Sequence, residues 1–214
     1  MPTLSDYSDS VIITYNYMKH DSCRNSSSAR KTGKALKLNE CDNIVVIDVD
    51  IKHDLPDDVK TNIRDAFMNA LSNFNNIVIV QTGNGGLHIY TKRYDYECNN
   101  RNTKWFLSEK YDIDLFNSDK NKDKRSLIVL PPTKIRNDSK KIVSYNYIKG
   151  HENTDISDAT KDVINALIDA KLIDLNECAE AKLLKLMDDI KEGKDKFADI
   201  HAVDDAACSG RGAD

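Results

Sequence analysis

No apolar run in the 214-residue chain approaches the roughly 20 residues that a membrane-crossing helix needs. The opening Met-Pro-Thr-Leu-Ser-Asp lacks the basic start and apolar core of a secretory signal. We therefore expect an intracellular protein, not secreted, with no membrane partner. The five cysteines (Cys23, Cys41, Cys98, Cys178, Cys208) are odd in number, widely spread and never at Cys-x-x-Cys spacing. That excludes a zinc ribbon and a disulfide framework and leaves reduced, structural thiols. Internal repeats are absent. Ala29-Arg-Lys-Thr-Gly-Lys34 lacks one glycine of a complete phosphate loop, so it reads as a solvated basic loop, with contact to a nucleic-acid backbone as its functional alternative.

What is present is the balance of a globular domain, 40% apolar and 31% charged. The charge is uneven. Residues 1–150 hold 23 Lys/Arg against 19 Asp/Glu, a net of +4, while residues 151–214 hold 8 against 16, a net of −8. The basic part is compatible with a polyanionic partner.

The chain turns on Asn43-Ile-Val-Val-Ile-Asp-Val-Asp50, an apolar, β-branched run that reads as a buried strand. Side chains alternate along a strand, so Asp48 and Asp50 share a face and Ile47 and Val49 share the other. Two adjacent carboxylates repel unless a cation lies between them, which points to a divalent-metal site; the alternative is a strand end entering a polar loop.

In chain order, a short strand is expected at Val11 to Tyr17 and a loop over Met18 to Lys37. A helix follows from about Asp57 to Asn73 with Val59, Ile63, Phe67, Ala70 and Leu71 on one face. Ile77 to Val80 and Leu87 to Tyr90 read as strands around the turn Gln81-Thr-Gly-Asn-Gly-Gly86. A short helix is expected within 99–108, around Trp105 and Phe106. Tyr111 to Phe116 alternates, with Ile113 and Leu115 on one face and Asp112 and Asp114 on the other. Leu127-Ile-Val-Leu-Pro-Pro-Thr133 is a strand stopped by two prolines, and Ile142 to Tyr147 is the last strand. Ser157 is the expected N-cap of a helix carrying Val163, Ile164, Leu167 and Ile168. A second helix is expected over Glu177 to Lys191, and a disordered tail from about His201. The resulting division is a domain over 1–150, an acidic helical appendage or connector over 151–200 and a tail over 201–214.

Three polar clusters sit at strand ends: Asp48/Asp50, His88 behind Gly83-Asn-Gly-Gly86, and Asp114. Glycines allow a ligand close to the backbone, and successive amides of such a turn can cradle a phosphate to which His88 could also donate. Three carboxylates can hold one or two Mg²⁺ or Mn²⁺ ions. That combination is what phosphoryl or nucleotidyl transfer needs. Each part also has an ordinary reading: a structural histidine, a hairpin turn, solvent-facing strand aspartates.

The motifs resemble the archaeo-eukaryotic primase superfamily, specifically its primase-polymerase (prim-pol) branch found in plasmids, phages and large DNA viruses. Val45-Val-Ile-Asp-Val-Asp50 is similar to the family's first motif, Thr82-Gly-Asn-Gly-Gly-Leu-His88 to its second and Ile113-Asp114-Leu115 to its third. Leu127-Ile-Val-Leu-Pro-Pro-Thr133 is similar to a strand many members carry. The resemblance covers roughly residues 40–150.

It implies an α+β fold, an RRM-like antiparallel sheet backed by helices, with a smaller N-terminal unit; the helices expected after Ser157 add a small C-terminal helical appendage. It implies Asp48, Asp50 and Asp114 as ligands of a two-metal Mg²⁺ or Mn²⁺ site, with Asp112 as second candidate for the third acid. Thr82, Gly83, Gly85, Gly86 and His88 would meet the incoming nucleotide. Lys134 and Arg136, with Lys120, Lys122, Lys124 and Arg125, are candidates for triphosphate or backbone contacts; a solvated charged loop is the ordinary account of the latter four. The implied activity is a DNA primase or polymerase that joins NTPs or dNTPs on a single-stranded DNA template, in the cytoplasm or nucleus of a host. A helicase, in the same longer chain or in trans, is the implied partner.

Two other classes stay open: a Mn²⁺-dependent nucleotide-sugar glycosyltransferase, which explains Asp-x-Asp but not the glycine-histidine turn, and a catalytically silent nucleic-acid-binding replication subunit. An Asp-x-Asp-x-Thr phosphatase is disfavoured because position 52 is Lys, and an initiator nuclease because its His-apolar-His pair is missing.

Overall fold

The computed structural model describes residues 1–15, 17, 30–41, 43–92, 106–117, 127–137 and 139–174. Residues Met1–Asp174 form one compact unit; Leu175–Asp214, a second unit, lies outside the described residues. The helix expected over Glu177 to Lys191 and the tail from His201 fall there, and Trp105, Lys120, Lys122, Lys124 and Arg125 are likewise outside.

The fold is α+β. In chain order the strands and helices are β1 (Val11–Tyr15), β2 (Lys31–Lys37), β3 (Ile44–Ile51), α1 (Asp57–Ala70), β4 (Val78–Gln81), β5 (Leu87–Lys92), β6 (Phe106–Leu107), β7 (Tyr111–Asn117), β8 (Leu127–Leu130), β9 (Lys134–Arg136), β10 (Ile142–Ser144), β11 (Asn146–Lys149) and α2 (Thr160–Asp169). The six-stranded main sheet runs β11-β4-β5-β3-β7-β6; β1-β2-β8 form a second sheet and β10-β9 a separate ribbon. Every pairing described is antiparallel.

Strand β3 sits between β5 and β7 and is covered on both faces, so Ile44, Val45, Val46, Ile47 and Val49 are all fully buried. On one face Ile47, Val49, Ile79, Ile89 and Ile113 meet the helices. The Phe67 ring of α1 packs edge-on against Tyr111 at 5.3 Å between centroids. From α2, Thr160 hydrogen-bonds the Thr91 hydroxyl at 2.7 Å and donates to the Lys92 carbonyl at 2.9 Å. On the other face Ile44, Val46, Val78, Val80 and Tyr90 share a core with Leu36, Ile128 and Leu130 of the second sheet. Each such large side chain contributes about 1.5–3 kcal/mol by leaving water.

Four local expectations need correction. The last seven residues of the expected loop Met18 to Lys37 are strand β2. Only Ala35 and Leu36 of it are buried, so no alternation announced it; its order comes from β1 and β8 on either side. Phe106 and Leu107 are strand, not helix, because they pair with Ile113 and Asp112. Ser157 does not cap α2: its amide and hydroxyl both bond the Asn76 carbonyl, and the helix opens after Ala159. The strand expected over Ile142 to Tyr147 is two strands broken at Tyr145, whose N–H donates to the Thr133 carbonyl at 2.9 Å.

Thr133 also ties the second sheet together. Its hydroxyl accepts from the Lys34 amide at 2.8 Å and donates to the Lys34 carbonyl at 2.9 Å. A Cβ on Gly33 would collide with that same side chain, which explains a glycine within β2. Thr133→Val should strand both Lys34 backbone groups and cost about 1–3 kcal/mol in urea unfolding, while Thr133→Ser, keeping the hydroxyl, costs less. Equal stability of the wild type and Thr133→Val would contradict this account.

Candidate active site

The register of the main sheet builds the site in rows. Val46 lies opposite Tyr90 and Phe116; two residues on, Asp48 lies opposite His88 and Asp114; two further, Asp50 lies opposite Asp112. Opposed residues share a face, as do residues two apart. One face of the sheet therefore changes from dry core at Val46 and Tyr90 to carboxylates at position 48 in a single step.

Within the first polar row, His88 Nε2 stands 3.5 Å from Asp48 Oδ1, with side chains 8% and 18% exposed. Asp50 is exposed and Asp114 half-buried. Asp112 is buried and paired to Lys52 Nζ at 2.7 Å, and the Lys52 amide is fixed by the Lys110 carbonyl. The two candidates for the third acid thus occupy different settings: Asp114 flanks Asp48, whereas Asp112 flanks Asp50 and already has its countercharge. Among the described residues no three His, Cys, Asp or Glu side chains converge closely enough to hold a metal ion as they stand.

Tyr145, absent from the sequence-based site, belongs to this face. It is buried, with its ring 5.7 Å from His88. Burial pushes its phenol well above the usual range, and the charges of Asp48 and Asp50 push further in the same direction. Tyr90 is raised by burial, by Tyr147 and Tyr145, and by Asp48. Tyr147 is pushed up to about 12 by burial and by Glu152. The only hint in the sequence was Ser144-Tyr-Asn-Tyr147, two tyrosines on one face of what reads as a single strand.

The turn 82–86 holds itself together through Thr82. Its amide donates to the Gly86 carbonyl at 2.9 Å, its carbonyl accepts from Gly85 at 3.0 Å and its hydroxyl accepts from Gly86 at 3.0 Å. Gly85 has φ +89°, the left-handed region, and Arg64 donates to its carbonyl at 3.1 Å. A Cβ on Gly86 would strike the Val49 carbonyl oxygen, and one on Gly83 the Val143 side chain. Three of the turn's amides, those of Thr82, Gly85 and Gly86, are therefore engaged internally, and those of Gly83 and Asn84 have no acceptor among the described residues. Both residues line a cavity of about 260 Å³ with His53, Asp57, Lys60 and Lys141.

Lys134 and Arg136 are not brought to the Asp–His row. Between them Ile135 is buried and, with its partner Val143, turned toward Gly83; Lys134 and Arg136 project from the opposite face of the ribbon and are exposed. Comparison with protein-family models, with curated proteins and with solved structures returned no match.

The raised tyrosines set an alkaline limit. The unfolded chain releases phenolic protons near 10.0, while folded Tyr147 holds its proton to about 12. The folded state then binds more protons than the unfolded one, so this contribution is complete below pH 10 and is lost as pH rises toward 12. Urea unfolding of Tyr147→Phe should show a shallower loss of stability above pH 10 than the wild type. An identical pH dependence would contradict the assignment.

Proposed function

We propose that this chain is a nucleotidyltransferase of the primase-polymerase kind, joining nucleoside triphosphates on a single-stranded DNA template. The observation that carries the reading is the register placing His88, Asp48 and Asp114 in one row, with Asp50 one step along the same face. The strand order supports it. Units β3-α1-β4-β5 and β7 lie in the order β7-β3-β5-β4, which is the order of an RRM-like sheet. Asp-x-Asp in a nucleotide-sugar transferase would account for Asp48 and Asp50 but leaves the histidine row and its glycine turn without a task.

The donors fit a hard divalent cation in kind: oxygen ligands on adjacent strands, with like charges directly opposed in the register. Asp48, Asp50 and Asp114 would hold Mg²⁺ or Mn²⁺, which supplies activation of the primer hydroxyl and neutralises the phosphate charge. His88, buried beside Asp48, would donate a hydrogen bond to a phosphate oxygen. The Gly83 and Asn84 amides would add donors from the turn that joins β4 to β5, and Lys52 pairs with Asp112. Tyr145 and Tyr90 close the apolar side and exclude water there.

Asp48→Asn and Asp50→Asn should each lower template-directed incorporation by roughly a hundredfold or more, on a gel with a primed single-stranded template and labelled nucleotides. Circular dichroism should be unchanged, since neither carboxylate supports the core. Asp112→Asn should cost less at the chemical step. Extension at the wild-type rate by Asp48→Asn or Asp50→Asn would sink the reading and leave a silent nucleic-acid-binding subunit.

A further inference from the structure

The β9–β10 ribbon has two unlike faces. Ile135 and Val143 anchor one of them against the glycine turn and the second core. The other carries Lys134 and Arg136 on β9 and Ile142, 51% exposed, on β10. At its tip the chain reverses through a tight turn in which the Asn137 amide and side-chain oxygen bond the Lys141 carbonyl and amide, both at 2.9 Å. That turn presents Lys140 and Lys141, both exposed.

Four cations thus lie within eight residues, with one anion, Asp138, in the sequence between them. None of the four forms an ion pair among the described residues, whereas Lys34, Lys37, Lys52 and Lys92 are each held by a carboxylate. A two-stranded ribbon is marginal by itself, so its anchored face explains why it is ordered but not why its free face is cationic. The tip supplies a direction: Lys141 lines the cavity shared with Gly83, Asn84 and Lys60, beside the polar end of the main sheet.

We propose that the outer face of this ribbon seats a single-stranded nucleic acid, gripped through its phosphates by Lys134, Arg136, Lys140 and Lys141 and led over the tip toward the Asp48–Asp50 end of the sheet. The assignment rests on the nucleotidyltransferase reading for the strand's destination, but not for its binding. Lys134 and Arg136 are about 6.6 Å apart along β9, a spacing on the scale of successive nucleotides in an extended strand. Ile142 offers a sugar or base an apolar contact between the cations. The face carries no aromatic platform, so binding is backbone-dominated, sequence-tolerant and steeply salt-dependent.

The test is fluorescence anisotropy of a labelled oligothymidylate across a salt series, on the whole chain. Replacing Lys134, Arg136, Lys140 and Lys141 together by Gln should weaken binding at least about tenfold at low salt and reduce the log–log salt slope by about 3, at roughly 0.7 per phosphate contact. A control carrying Lys110→Gln, Lys161→Gln and Lys171→Gln, all exposed elsewhere, should bind like the wild type. No binding by the wild type, or an unchanged slope in the ribbon variant, overturns the proposal. So does a ribbon variant that releases phosphatidylserine vesicles yet keeps the oligothymidylate. A wild type that binds the strand through the ribbon but incorporates no nucleotide refutes the catalytic reading and leaves this one standing.

Discussion

The register of β3 against β5 and β7 is the constraint from which the rest of the structure follows. Both faces of β3 are packed, with Ile47 and Val49 toward the helices and Ile44 and Val46 toward the second sheet. A slip of one residue would turn Asp48 and Asp50 into the helical core and expose apolar side chains in their place. Packing energy therefore holds the carboxylates at fixed positions, opposite His88 and Asp114. The site is a by-product of a core that tolerates only one alignment.

That arrangement carries an electrostatic tension. Asp48 and Asp114 are opposed, Asp50 and Asp112 are opposed, and like charges so placed destabilise a sheet. Lys52 relieves one of the four by pairing with Asp112. The phenol of Tyr145 is raised by its burial and further by the charges of Asp48 and Asp50. A cation bound among Asp48, Asp50 and Asp114 would remove the tension, and a phosphate beside His88 would be drawn by the same cation. Burial and the Lys52 pairing of Asp112 distinguish the two third-acid candidates more sharply than their spacing in the sequence could.

Much of this was legible before the fold. The apolar run ending in Asp-x-Asp, the amphipathic α1 and the alternation of β7 each announce an element and a face. Strand β2 was not legible because two buried residues in seven leave no pattern, and its order is lent by β1 and β8. The break at Tyr145 was hidden because apolar and aromatic residues continue across it; only the Thr133 carbonyl and two different sheets explain it. The glycines of 83–86 were legible as necessary but not for the right reason throughout. Gly83 and Gly86 are demanded by Val143 and by the Val49 carbonyl, so close protein packing accounts for them at least as directly as an approaching ligand. Charge alone marks Lys134 and Arg136 in the sequence, and only the strand alternation around buried Ile135 reveals that they face away from the carboxylates.

Manganese binding followed by electron paramagnetic resonance tests the central claim most directly, because the spectrum of free Mn²⁺ diminishes as the ion is captured. Titrating the intact chain should deplete that signal, and Asp48→Asn and Asp50→Asn should each restore it while Asp112→Asn leaves capture in place. Capture that is indifferent to Asp48 and Asp50, or none by the wild type even with a nucleoside triphosphate present, would contradict a cation site on this face.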